Sequence, residues 1–331
     1  MNRTGSLSLD IRADHFDHPS GLVDAGTVVG WIDKVGYAVA ASWSGTYVRA
    51  RYIGTMQFSH PVPVDTRVTV QGRVVRTHGS SIHVQTRVLL PELLDDDGAP
   101  LVATASITVY GAEVGGQPRD VPAWMPSTAG QVERDRQARR SSVARRTVER
   151  AMNRLPFPEP GEQHEEMTTL SFLAPAAEAT AGGTVSAGVV LRWLDEAAGV
   201  CAARWTGEEN VVAVFAGGVR LDRPVHVGDL VRVDALLVNT TDRSMHVALR
   251  VHAGPRSSRH PERVAHSIAV MVARGEDGHA EPVRPWTPAG PEARQLQAAA
   301  MDLVRLRSQV GAAWTSVPPT VRGRDGRDGP Q

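Results

Sequence analysis

One helix-like stretch is written twice in this chain. Residues 188–205 read GVVLRWLDEAAGVCAARW and residues 26–43 read GTVVGWIDKVGYAVAASW, with the same Gly, Trp, Asp, Ala-Ala and closing Trp in the same places. Trp31 and Trp193, Asp33 and Asp195, and Trp43 and Trp205 are each 162 positions apart. The correspondence continues past the helix. SSIHVQTRV (80–88) matches RSMHVALRV (243–251) at an offset of 163, as His60-Pro61-Val62 matches Arg223-Pro224-Val225, and VPAWMP from Val121 matches VRPWTP from Val283 at 162. Two copies at so long a period exclude a solenoid, whose units recur about every 20 to 50 residues. The chain is a duplicated domain, and 331 residues let each copy bury its own core.

Each copy runs in the order short strand, turn, one helix, then four strand-like runs. These are YVRARYIGTMQF, RVTVQGRVV, SIHVQTRVLL and LVATASITVY in the first, and VVAVFAGGVRL, LVRVDALLV, SMHVALRV and VAHSIAVMVA in the second. RVTVQGRVV and HVQTRV alternate apolar and polar residues, the period-2 signature of a strand with one wet face. The helix is apolar nearly all round (Val190, Leu191, Trp193, Leu194, Ala197, Ala198, Cys201), which marks it as enclosed by protein. An α+β fold satisfies both patterns: two tandem domains, each a curved antiparallel sheet wrapped around one buried helix. The expected divisions are domain one at 1–113, a linker with a charged helix at 114–165, domain two at 166–276, a C-terminal helical extension at 277–312, and a disordered tail of Pro, Gly and charge at 313–331.

Thirty-six basic residues balance 36 acidic ones, which removes the electrostatic argument for a nucleic-acid or acidic-membrane partner. Lys34 is the only lysine, so an arginine here is no sign of a selected phosphate fork without local support. The single cysteine, Cys201, fits a small core residue in a reducing cytoplasm, and neither a signal peptide nor a membrane span is expected. GxSxG, Rossmann and P-loop glycine patterns are missing. DHFDHP (14–19) concentrates His and Asp, but no cysteine or spaced His pair completes a metal site, and none is expected. His83 and His246, repeat-related within strands, are read as core or edge histidines.

The acid in the buried helix needs an explanation, because a charged, unpaired aspartate there costs several kcal/mol. Asp195 can pair with Arg192, or accept hydrogen bonds where the domains meet. Its presence in both copies, while the next residue changes from Lys34 to Glu196, favours a working group: a general base or nucleophile facing a cleft, its pKa raised by partial burial. A nearby helix N-terminus would supply amides for a developing oxyanion. The segments before the helices, GLVDAG (21–26) and GGTVSAG (182–188), are rich in small residues that permit close approach by a ligand.

The string GGTVSAGVVLRWLDEAAGVCAARW resembles the signature of hotdog-fold acyl-CoA thioesterases, in which an Asn-x-x-Gly-x-Val-His-Gly-Gly loop enters a helix carrying Trp-Met-Asp-Glu-Ala-Ala. Two such domains, each followed by a Pro-Trp segment and a polar helix, resemble the tandem acyl-CoA hydrolases of the brain and brown-fat type and their bacterial relatives. The resemblance implies two hotdog domains, hydrolysis of acyl-CoA thioesters between them, a homo-oligomer, and no cofactor beyond the CoA of the substrate. It places the family's loop Asn at His18 and Thr180 and its loop His at Asp24 and Ser186, none of which keeps the family residue. Since the family builds each site from both units, the expected pairs are His18 with Asp195, the preferred catalytic site, and Thr180 with Asp33, a second one. The Ala25 and Gly26 amides, and Ala187 and Gly188 at the second site, are the expected oxyanion and substrate contacts. A hotdog protein that binds acyl-CoA without turnover, and a dehydratase or hydratase, are the alternatives.

Overall fold

The computed structural model describes residues 5–14, 21–54, 56–158, 166–180, 182–216, 218–275 and 277–315. His18, most of the His/Asp-rich segment 14–19, and the tail from 316 lie outside them.

In the first copy β1 (Ser6–Arg12) leads to α1 (Ala25–Ser44), then β2 (Val48–Ile53), β3 (Met56–Gln57), β4 (Arg67–His78), β5 (Ser81–Leu94), β6 (Pro100–Val114) and the short β7 (Gln117–Pro118). After α2 (Ala129–Asn153), the second copy repeats the plan: β8 (Met167–Leu173), α3 (Ala187–Thr206), β9 (Val211–Ala216), β10 (Val219–Leu221), β11 (Leu230–Thr240), β12 (Met245–Gly254) and β13 (Glu262–Ala273), with α4 (Gly290–Thr315) closing the described chain. The runs at 47–58 and 211–221, expected as single strands, are each broken in two, and the two parts of each run pair with different strands of the other copy.

That break joins the copies. β2 pairs with β6 of its own copy and with β10 of the other, while β3 pairs with β9, giving one antiparallel sheet in the order β1-β4-β5-β6-β2-β10-β13-β12-β11-β8. The repeat offset of 163 turns the pair Ile53–Val219 into Ala216–Met56, and Tyr52–Arg220 into Phe215–Gln57, and the registers show those same pairs. The contact is therefore isologous, as in a twofold dimer, although one chain makes both halves.

Asp24 caps α1 by accepting from the Thr27 amide at 2.7 Å, and Ser186 caps α3 by accepting from the Val189 amide at 3.4 Å. Both helices end on left-handed glycines, Gly45 and Gly207. They lie together against the sheet in one apolar core that spans both copies, with Ile32, Val35 and Val39 in the same cluster as Val190, Leu194 and Ala198. The Pro-Trp segments return to the helix ends: Trp43 Nε1 donates to Pro122 O at 3.0 Å, and Trp205 Nε1 to Arg284 O at 3.2 Å. The charged helix α2 does more than link. Its first half seats Ala138 on Val75 and Ile107 of copy one, and its second half seats Val148 and Met152, with Leu296 and Leu303 of α4, on the outer face of β11–β13.

Candidate active site

The two aspartates reach across the interface. Asp195 Oδ2, on α3, accepts from the Gly26 amide in the first turn of α1 at 2.9 Å, and Asp33 Oδ2, on α1, accepts from the Gly188 amide in the first turn of α3 at 2.8 Å. Each acid thus sits at the positive end of the other copy's helix. Arg192, the expected partner for Asp195, instead pairs with Glu178 at 2.8 Å and Glu196 at 3.5 Å. Of the two simpler readings, hydrogen bonding at the domain contact is the one the structure shows. The Gly26 amide, expected to receive an oxyanion, is committed to the acid.

The surroundings of the two acids differ. Asp195 is part-buried in the wall of a cavity of about 560 Å³, and the corresponding space at Asp33 measures about 40 Å³. The large cavity takes Leu22, Val28 and Phe58 from copy one and Val212, Val214 and Met271 from copy two. His60, Arg192, Arg274 and His279 also line it.

Matching the copies position by position explains the small one. Tyr37 stands where copy two has Gly199, Tyr47 where it has Asn210, and Arg49 where it has Val212. Tyr110, opposite Ala50 in its ladder, occupies the place of Met271, opposite Ala213. The Tyr110 hydroxyl donates to Asp33, 3.2 Å from Oδ1. It fits because Gly36 lies beneath it: a Cβ there would be 2.4 Å from the hydroxyl oxygen, and the residue of copy two that matches Gly36 is Ala198. Tyr47 closes the outside, its hydroxyl 3.3 Å from Thr184 Oγ1.

Burial is the main reason both acids hold their protons more tightly than usual. Asp195 is pushed up to about 7, first by burial, then by the nearby Asp24 carboxylate and least by Glu196, while the Gly26 bond pulls the other way. Asp33 is also raised by burial, and the Gly188, Tyr110 and Ser186 contacts and Lys34 oppose the rise. The neighbour effects of Glu196 and Lys34 have the signs their charges dictate, but Asp24, across the interface, acts more strongly on Asp195 than Glu196 does.

The structure therefore brings together Asp195 and Ala25 in the large cavity, with Gly26 bonded to Asp195, and Asp33, Ala187 and Thr180 in the small one, with Gly188 bonded to Asp33. Thr180 Oγ1 lies 3.1 Å from Thr184 Oγ1. Sequence reasoning missed the tyrosine plug. Tyr37 opposite Gly199 was legible at the constant helix offset. Tyr110 opposite Met271 was not, because the offset drifts to 161 in that strand.

With this geometry established, comparison with known proteins gives a consistent picture. The thioesterase superfamily matches residues 21–92 and 182–258, the two stretches that carry α1 and α3. The chain is similar to a Homo sapiens protein named cytosolic acyl coenzyme A thioester hydrolase, 22% identical over 289 residues, which span 81% of this chain and 74% of that protein. The Mus musculus protein of the same name is 26% identical over 133 residues, 40% of this chain and 35% of its own length. Among solved structures, a Lactobacillus plantarum protein described as an oleoyl thioesterase superposes with a TM-score of 0.51 at 13% identity, covering 84% of this chain and 97% of that one, which supports the tandem hotdog fold.

Proposed function

We propose, starting from the thioesterase-superfamily match in each half of the chain, that it hydrolyses acyl-CoA thioesters to free acid and CoA, and that Asp195 carries the reaction. The observation behind the choice of site is the pairing of a raised carboxyl, held by the Gly26 amide, with a cavity of about 560 Å³ that has apolar walls and cationic side chains. In this reading the acyl chain lies against Val28, Val212 and Met271, and Arg274, which also lines the cavity, meets the phosphates of CoA.

Asp195 Oδ2 stays on the amide and Oδ1 takes a proton from water as the water oxygen adds to the thioester carbonyl carbon. Collapse of the adduct breaks the C–S bond, and the departing sulfur recovers the proton as the CoA thiol. Direct attack by the carboxylate, with later hydrolysis of the resulting anhydride, uses the same atoms. The Ala25 amide is the donor left at this helix end for the oxyanion, and His18 keeps its proposed role of orienting the carbonyl or the water. As written the reaction requires no cofactor. Asp33 and Thr180 form the repeat-related site, filled by Tyr37, Tyr47 and Tyr110, and contribute structure in place of turnover.

The human relative is named cytosolic, and no helix among the described residues is long and apolar enough to cross a membrane; a cytoplasmic, homo-oligomeric enzyme is the accompanying proposal. The test is thiol release from a panel of acyl-CoAs. Asp195→Asn should lower kcat by roughly 10² to 10⁴, whereas Asp33→Asn and Thr180→Ala should leave more than half of the turnover. A larger loss from Asp33→Asn would assign the chemistry to the other acid, and CoA binding without thiol release would make the protein a carrier.

A further inference from the structure

Two repeat-related hairpins carry opposite charge. The β5–β6 tip, PELLDDDGAP (91–100), bears Glu92, Asp95, Asp96 and Asp97 and no basic residue. The β12–β13 tip, GPRSSRHP (254–261), bears Arg256, Arg259 and His260 and no acid. All seven side chains are exposed. Asp95 has work within its own loop, accepting from the Asp97 and Ala99 amides at 3.1 and 2.8 Å. Among the described residues, Glu92, Asp96, Asp97, Arg256 and Arg259 form no ion pair.

Each tip also has exposed leucines. Leu93 and Leu94 on the acidic tip are 40% and 59% exposed. At the basic end Leu173 and Leu230, 47% and 37% exposed, face each other across β8 and β11, and Leu230 pairs on its other side with Gly254 at the base of the tip. The matching places in copy one hold Arg12 and Arg67, so this end of the sheet has no such leucine pair. Antiparallel pairing from β5 through β6, β2, β10 and β13 to β12 sets the two tips at opposite ends of the shared sheet. They cannot meet within one chain.

We propose that the acidic β5–β6 tip of one copy docks on the basic β12–β13 tip of another, with Leu93 and Leu94 packing on Leu173 and Leu230, so that the chain assembles head to tail. Charge complementarity selects the partner and its register, and the leucines supply the area to bury. Because the two surfaces differ, the contact is heterologous and either closes as a ring or continues as a chain. The inference gives surfaces to the self-association proposed above and is independent of the chemistry at Asp195.

The experiment is the mass in solution, by light scattering on a sizing column, of four proteins. Wild type should exceed the 35.5 kDa of one chain, and high salt should weaken the assembly. Glu92→Arg with Asp96→Arg and Asp97→Arg should lower the mass, as should Arg256→Glu with Arg259→Glu. Combining all five reversals in one chain restores complementarity and should restore the mass, which a mere folding defect in either partial variant would not allow. Wild type at 35.5 kDa, reversals that leave the mass unchanged, or a combined variant that stays dissociated would each overturn the proposal. Thiol release measured on the same samples reports on Asp195 separately.

Discussion

Asp24 and Ser186 hold equivalent places and do the same capping work, yet only Asp24 brings a charge to the acid it faces. Asn caps a helix about as well as Asp, so Asp24→Asn removes repulsion while keeping the helix end. Asp195 must be ionised to act, so kcat/KM should rise with pH through about 7. In Asp24→Asn that rise should move to lower pH, with Glu196, Arg192, His60, Arg274 and His279 unchanged around it; an unmoved acid limb would remove Asp24 from the account. Stability has its own sign. A folded-state pKa above the ordinary value of 3.8 means that the folded protein binds more protons than the unfolded chain between about 4 and 7, so this group's contribution falls as pH rises through that window. Asp195→Asn escapes that loss. It should melt at or above wild type at pH 8 and approach it near pH 4, whereas a clear drop in melting temperature at pH 8 would mean that the carboxylate is a structural contact.

At the scale of the helices, the crossing of α1 and α3 depends on Gly26 and Gly188. A Cβ on Gly26 would lie 3.0 Å from the Arg192 Cα, and one on Gly188 would lie 3.0 Å from the Gly30 Cα. Alanine at either place should cost about 1–3 kcal/mol by overpacking, read as a lower denaturant midpoint at constant slope. Gly26→Ala should also depress turnover, because its amide holds the working acid, and Gly188→Ala should do so far less. Equal turnover losses would show that the spacing of the helices matters and the identity of the amide does not. These glycines also mark the limit of what the sequence tells. The repeat made the helices, the succession of elements along each copy and the paired acids legible, and the small residues before each helix were correctly seen as permitting close approach. The approaching body, expected to be a ligand, is at these two positions the other helix. Period and composition carry no information on which surface arrives; that depends on the β2–β10 and β3–β9 pairings, which no local pattern in either run announces.

For the whole molecule, the open cavity takes walls from both copies, so activity should require both. A chain of residues 1–160 alone exposes the β2 edge and loses the Gly188 amide that Asp33 accepts from; a chain of 161–331 exposes the β10 edge and loses the Gly26 amide from Asp195. An open sheet edge beside an uncovered apolar helix face favours aggregation or false pairing. The second half also loses Val148 and Met152 of α2, which stay with the first and leave Leu236, Val238 and Ile268 partly uncovered. Each half made alone should therefore aggregate or pair with itself, and neither should release thiol from acyl-CoA. In a self-paired second half, Asp195 would meet a Gly188 turn in place of the Gly26 turn and Thr180 in place of His18, so without the proposed orienting residue dimerisation by itself should not rescue activity. Produced together as two chains, the halves should recover the β2–β10 and β3–β9 pairs, the α2 contacts and most of the turnover. A second half that hydrolyses acyl-CoA alone at the full rate would show that copy one supplies nothing essential, and would place the orienting groups for Asp195 within copy two.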